Sequence, residues 1–174
     1  MSKTGSRLLF TIVIVLQVAV MPLHAANERI SGFSSGDTIT IRSAEARMDE
    51  LSDIIHFGGG FEIRANDFYL LSEEASLYGK LDDPETIEVT GSPATIRVDT
   101  LAQGQDQSQT STITGQAMRI IYQRNTSSIL MEGDASLSRD GHTMSGGEIE
   151  YDIKEDHLRA GGAERVHIRV IPDP

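Results

Sequence analysis

Cysteine and tryptophan are absent from the 174 residues, aromatics make up 5%, and there are only five prolines. Without cysteine there is no disulfide framework and no thiolate metal site, so packing and hydrogen bonds alone must hold the fold. Basic residues are also scarce: 15 Lys and Arg stand against 26 Asp and Glu, giving a net charge of −11. An acidic chain with no basic stripe repels polyphosphate, which excludes nucleic acid as a partner. Amphipathic helical periodicity is missing as well. The nearest approach to it, Ser43 to Asp53 with Ala44, Ala46, Met48 and Leu51, fits a strand running into a turn at least as well.

What is present begins with an export signal. Lys3 and Arg7 form a positive n-region, Leu8 to Val20 an apolar run of 13 residues, and Pro22-Leu23-His24-Ala25 a cleavage site before Ala26. A membrane span needs about 20 apolar residues, so a cleaved signal peptide over residues 1–25 is expected. The competing reading keeps residues 8–20 as an N-terminal anchor. Cleavage leaves 149 residues, 26–174, enough for one domain with a real core. Losing Lys3 and Arg7 moves the charge from −11 to −13.

Along the mature chain the dominant period is two, the period of strands. Ile39 and Ile41 alternate with Thr40 and Arg42; Ala94, Ile96 and Val98 with Thr95, Arg97 and Asp99. Met118, Ile120 and Tyr122 alternate with Arg119, Ile121 and Gln123; Ile149, Tyr151 and Ile153 with Glu150, Asp152 and Lys154. Val166, Ile168 and Val170 alternate with His167 and Arg169. Turn signals stand between these runs at Asp49-Glu50, Asp82-Asp83-Pro84, Arg124-Asn125, Asp140-Gly141 and Lys154-Glu155-Asp156. The Gln/Ser/Thr-rich stretch Leu101 to Thr112 has little to bury and reads as a long mobile hairpin loop.

A glycine frame is laid over the strands. Apolar or β-branched residues flank a glycine four positions to either side in Ile55-Gly59-Ile63, Ile87-Gly91-Thr95, Ile129-Gly133-Leu137 and Leu158-Gly162-Val166. The glycines are 32, 42 and 29 residues apart, a repeat of supersecondary size. A glycine inside a strand marks a bulge, a bend or a close approach. Recurring in the second strand of each hairpin, it predicts an all-β, flattened roll of stacked hairpins whose sheet bends at one level.

Catalytic patterns do not emerge. Glu73-Glu74 and Asp82-Asp83 are paired carboxylates, but neighbours in a strand face opposite ways and those in a turn are solvated. His56, His142, His157 and His167 show no ligand spacing, so no metal or other cofactor is expected. Asn125-Thr126-Ser127 matches a glycosylation sequon and reads as a turn. No nucleophile elbow or phosphate-cradling loop appears.

Several segments resemble a known family. Gly36-Asp37-Thr38-Ile39-Thr40-Ile41-Arg42-Ser43-Ala44 looks like its opening strand. Gly91-Ser92-Pro93-Ala94-Thr95-Ile96, Ile129-Leu130-Met131-Glu132-Gly133-Asp134-Ala135 and Met144-Ser145-Gly146-Gly147-Glu148-Ile149-Glu150-Tyr151 look like three of its later segments, in order. The family is the periplasmic lipopolysaccharide-transport bridge protein, built on the OstA-like domain. The resemblance implies an antiparallel β-jelly roll, open at both ends, located in the periplasm and without enzymatic activity. It implies that lipopolysaccharide (LPS) moves along an apolar lumen, acyl chains inside and sugars outside. The implied partners are an inner-membrane bitopic component at the N-terminal edge and the N-terminal domain of the outer-membrane translocon at the C-terminal edge. Head-to-tail self-association is a further implication.

On this resemblance the lumen wall is Ile39, Ile41, Ile63, Ile96, Met118, Ile120, Tyr122, Met131, Ile149 and Tyr151, with the two tyrosines offering a hydroxyl at the rim. The pairing edges are Thr38, Ile39, Thr40 and Ile41 at one end and Val166, His167, Ile168 and Arg169 at the other. The sequence ties none of Arg42, Arg64 or Arg97 to a lipid phosphate. The residues themselves leave two alternatives open: a membrane-anchored component of the same system, and a ligand-free structural or adhesive roll with a filled core. N-terminal sequencing of the exported protein separates the first of these. Ala26 is expected as the first residue, and a mature chain that retains residues 8–20 would restore the anchor.

Overall fold

The computed structural model describes residues 38–49, 51–81, 83–101 and 110–171. All regular structure among them is β. Ten strands run in chain order: β1 (Thr40–Asp49), β2 (Ile54–Arg64), β3 (Phe68–Ser72), β4 (Glu74–Lys80), β5 (Asp83–Leu101), β6 (Thr110–Gln123), β7 (Ser128–Arg139), β8 (His142–Asp152), β9 (His157–Gly161) and β10 (His167–Arg169). Every pairing is antiparallel, and the order is β1-β2-β3-β5-β6-β7-β8-β10, with β4 between β2 and β5 and β9 against β8.

Strand length explains the shape. The 19 residues of β5 would stretch about 60 Å if straight, too far to stay over one core. The strand instead bends, and its neighbours bend with it. Pairing is interrupted between Ser43 and Glu45 in β1, Thr90 and Ala94 in β5, Gln116 and Arg119 in β6, and Glu132 and Ala135 in β7. At the same level Glu73 separates β3 from β4, and its backbone bonds Gly60 on one side and Thr90 on the other, both at 3.0 Å. One sheet is thereby folded into two leaves. The first leaf holds Glu45–Asp49, Ile54–Gly58, β4, the first half of β5, the second half of β6, the first half of β7, the second half of β8, and β9. The second leaf holds the remaining halves with β3 and β10.

The glycine frame sits on this fold line. Gly59, Gly91 and Gly133 lie within β2, β5 and β7 at their interruptions. They serve it in different ways. Gly133 has φ +76°, a region that costs other residues strain. Gly91 keeps an ordinary φ but has no room: a Cβ there would fall 3.1–3.3 Å from backbone atoms of Ala94, Glu73 and Pro93.

Three sequence expectations need correction. Gly162 lies just past β9 and not inside a strand. The stretch Leu101 to Thr112 is not all loop: β5 runs to Leu101 and β6 begins at Thr110, where Ser111 is buried. Residues 102–109 and the expected signal peptide, 1–25, lie outside the described residues. The last strand is also shorter than its alternation suggests, since only His167–Arg169 pair with β8 and Val166 precedes them. Within Ser43 to Asp53, Ser43 to Asp49 are strand and residues 51–53 are turn, as the pattern allowed. The Asp140-Gly141 tip is a two-residue hairpin turn with φ of +49° and +84°.

Placing a side chain on Gly133 tests the fold line. Gly133→Val should cost about 1–3 kcal/mol, since its Cβ would also meet Met118 at 3.0 Å. Urea denaturation should show a lower midpoint with an unchanged slope.

Candidate functional site

The two leaves enclose one apolar interior. Alternation on each half-strand turns Phe57, Phe61, Phe68, Leu70, Leu77 and Val89 inward with the residues expected from sequence. Seven of the ten expected wall residues are there: Ile63, Ile96, Ile120, Tyr122, Met131, Ile149 and Tyr151, each at most 3% exposed. Ile39 and Ile41 are half-buried and pack on the same cluster at its N-terminal end. Met118 is a correction. It is 53% exposed on the outside, because the β6 irregularity between Gln116 and Arg119 shifts the alternation and turns Ala117 inward instead.

The interior is filled by its own side chains. Phe68 of the second leaf meets Tyr122 of the first with ring centroids 5.0 Å apart. A methyl group added at Gly115 would come within 2.6 Å of Met131 Sδ and 3.0 Å of Ile96 Cγ2, so opposite leaves touch there. The ends, in contrast, are uncapped among the described residues. Met48 pairs with buried Ile55 and so shares its inward side, yet it is 63% exposed; Ile168, paired with Met144, is 64% exposed at the other end.

Opposite the fold line, where the free tips of the leaves meet, a seam runs along the stack. Its N-terminal half is closed by the Phe68–Tyr122 contact. Its C-terminal half is closed by a polar cluster. Arg139, the inward position after Leu137 on β7, is ion-paired to Asp156 and lies 3.3 Å from the Tyr151 hydroxyl. Tyr151 donates to Asp156 at 2.9 Å, and Ser111 donates to Asp140 at 2.9 Å.

A family model described as LptA/(LptD N-terminal domain) LPS transport protein matches residues 40–157, most of the chain and all of β1 to β8. The chain belongs to that family. Its role is therefore in LPS transport. Among solved structures it is similar to LptH of Pseudomonas aeruginosa, described as the LptA-homologous periplasmic component of the lipopolysaccharide transport device. That likeness has a TM-score of 0.66 at 17% identity and covers 78% of this chain and 96% of that one, which speaks for the fold. No curated protein matches.

For an LPS-transport domain the outer surface is as informative as the interior. Arg42, Arg64 and Arg97 all lie outside the second leaf and already have carboxylate partners: Glu62 for the first two, at 3.6 and 3.0 Å, and Asp99 for the third, at 3.1 Å. Arg64 also sits 5.0 Å over the Tyr69 ring. Outside the first leaf Arg119 bridges Glu88 and Glu132 across three strands. The hydrogen bond from Arg119 holds the Glu88 carboxyl below its usual range. A cavity of about 460 Å³ lies over this leaf near β1, lined mostly by outward positions such as Glu45, Arg47, His56, Glu74 and Glu88. Its lining is mostly polar, with Phe57 and Ala75 of the apolar cluster at its floor.

The paired carboxylates take structural places. Glu73 sits at the fold line and accepts from the Ser92 backbone at 3.3 Å, Glu74 is exposed, Asp83 pairs with Arg124, and Asp82 lies outside the described residues. His56 shares a 2.9 Å hydrogen bond with Ser76. Among the described residues no three His, Asp or Glu side chains converge as metal ligands. At the edges, Thr40 and Ile41 lie in β1, which among the described residues pairs only with β2, while Thr38 and Ile39 precede it.

Burial sets the chemistry of the rim tyrosines. Loss of solvent pushes the Tyr122 hydroxyl from 10 up to about 12 and raises Tyr151 as well. A phenol raised on folding stabilises the protein fully below pH ~10 and loses that contribution as the pH climbs through its folded pKa. Stability should therefore fall between pH 10 and 12, with Tyr122 accounting for about 2–3 kcal/mol. Tyr122→Phe should flatten that slope, leaving what Tyr151 contributes, in denaturation curves measured across the range.

Proposed function

We propose that the interior receives the acyl chains of LPS and that the domain forms part of a periplasmic bridge carrying LPS from the inner to the outer membrane. The observation that carries this reading is a continuous apolar interior, walled by aliphatic side chains and, among the described residues, uncapped at both ends. Flexible chains need such a wall, and each buried methylene contributes about 0.8 kcal/mol. Sugars and phosphates stay in water outside, where the acidity of the domain is tolerable. The wall residues are Ile39, Ile41, Ile63, Ile96, Ile120, Tyr122, Met131, Ile149 and Tyr151. Their role is passive contact, and no bond is broken.

The edges support the bridge. β1 offers a ten-residue strand with one side unpaired among the described residues, suited to strand addition by an inner-membrane component. At the other end Val166, Ile168 and Val170 are exposed beside β10, suited to an N-terminal domain of the outer-membrane translocon or to another copy of this chain. A specific observation also favours a second reading, a ligand-free structural roll: the interior is filled by the protein's own side chains. The two differ in what crosslinks to the interior. A photoreactive residue at Ile96 or Tyr122 in cells is expected to give LPS adducts, and one at outward Arg97 none. A folded, exported protein with adducts at none of the three would hand the assignment to the structural roll.

A further inference from the structure

A filled interior can take up an acyl chain only if the leaves part, and the seam is built unequally along its length. In the N-terminal half the closure is Phe68 against Tyr122, each about 2% exposed. Parting them would put two aromatic surfaces into water, a large apolar loss. In the C-terminal half a polar cluster spans the two leaves. Arg139, Asp140 and Ser111 come from the second leaf, Tyr151 and Asp156 from the first. The Arg139 Nε lies 3.2 Å from Ser111 Oγ and 3.3 Å from Asp140. Its Nη1 reaches across to Asp156 and to Tyr151.

This cluster borders water already. The Arg139, Asp140 and Asp156 side chains are 29%, 55% and 42% exposed, so on parting these three exchange a protein partner for water at small net cost, while Ser111 and Tyr151 form the buried part of the cluster. Two carboxylates against one guanidinium leave the cluster with a net negative charge, which disfavours a lipid phosphate as its occupant. Its position is where the apolar walls end: Leu137 precedes Arg139 on the same side of β7, and Ile149 precedes Tyr151 on β8. We propose that the C-terminal half of the seam is the portal for acyl chains, and that the Arg139–Asp156 pair is the bolt that holds it shut. The inference rests on the acyl-binding reading and adds where the chains pass and what releases them.

The absence of cysteine makes the bolt directly testable in the full exported chain. In Arg139→Cys/Asp156→Cys, uptake of a fluorescent monoacylglycerol, followed by stopped flow, is expected to be about three- to tenfold faster than in the wild type. Joining the two thiols with a short bismaleimide should then slow uptake well below the wild-type rate. Arg97→Cys/Asp99→Cys, an ion pair outside the second leaf, should change nothing whether linked or not. Tyr151→Phe, which removes hydroxyl contacts without removing volume, should speed uptake by a smaller factor and guards against a poorly folded double variant. Equal rates in linked and unlinked protein, with equal binding amplitudes, would overturn the portal while leaving the acyl-binding interior in place. No binding of the probe by any form, wild type included, would overturn the interior reading and the portal together.

Discussion

Everything in this domain depends on a single constraint, that its long strands change direction at the same level. A bend in one strand would be a local bulge; repeated in register across neighbouring strands it becomes a fold line, and one sheet can then face itself. Backbone hydrogen bonding survives because the partners bend together, with Gly60, Glu73 and Thr90 bonded across the line. The apolar side of the sheet, which a flat arrangement would leave in water, meets its own continuation. No helix and no second sheet is then needed among the described residues to cover it.

The lipid-handling reading follows from the same geometry. Folding a sheet over leaves a seam along the free tips and, among the described residues, two uncapped ends, so the enclosed space is elongated in the direction of stacking. Its walls are Ile, Leu, Val and Met with a few aromatic rings, and apart from Arg139 at the seam its charges are kept outside, largely in ion pairs such as Arg97–Asp99 and Arg119–Glu88. Acidity and an apolar interior therefore do not conflict. They occupy opposite sides of the same strands, as period-two alternation requires.

Much of this was legible in the sequence because the relevant signals are local. Alternation placed Ile96, Ile120, Tyr122, Ile149 and Tyr151 on one side, and the glycine frame located the bends in three of its four occurrences. Met118 went wrong for a physical reason. Alternation assumes unbroken pleating, and the irregularity in β6 inserts a change of phase immediately before Arg119. The strands β3 and β4 were passed over although Phe68, Leu70, Ala75 and Leu77 alternate with exposed or half-buried neighbours; their brevity hid them. The polar closure of the seam was out of reach altogether. Arg139 meets Ser111 and Asp156 from positions 28 and 17 residues away, and only the folded pairing brings those together.

The sharing of strands between leaves also governs how the domain comes apart. Since β2, β5, β6, β7 and β8 each contribute to both leaves, neither leaf is a folding unit of its own, and melting one must melt the other. Along the stack the situation is reversed: each strand touches mainly its immediate neighbours, so cohesion is one-dimensional, passed from rung to rung. Loss of β10 or fraying of β1 shortens the ladder without changing its cross-section. The domain is therefore cooperative across its width and modular along its length.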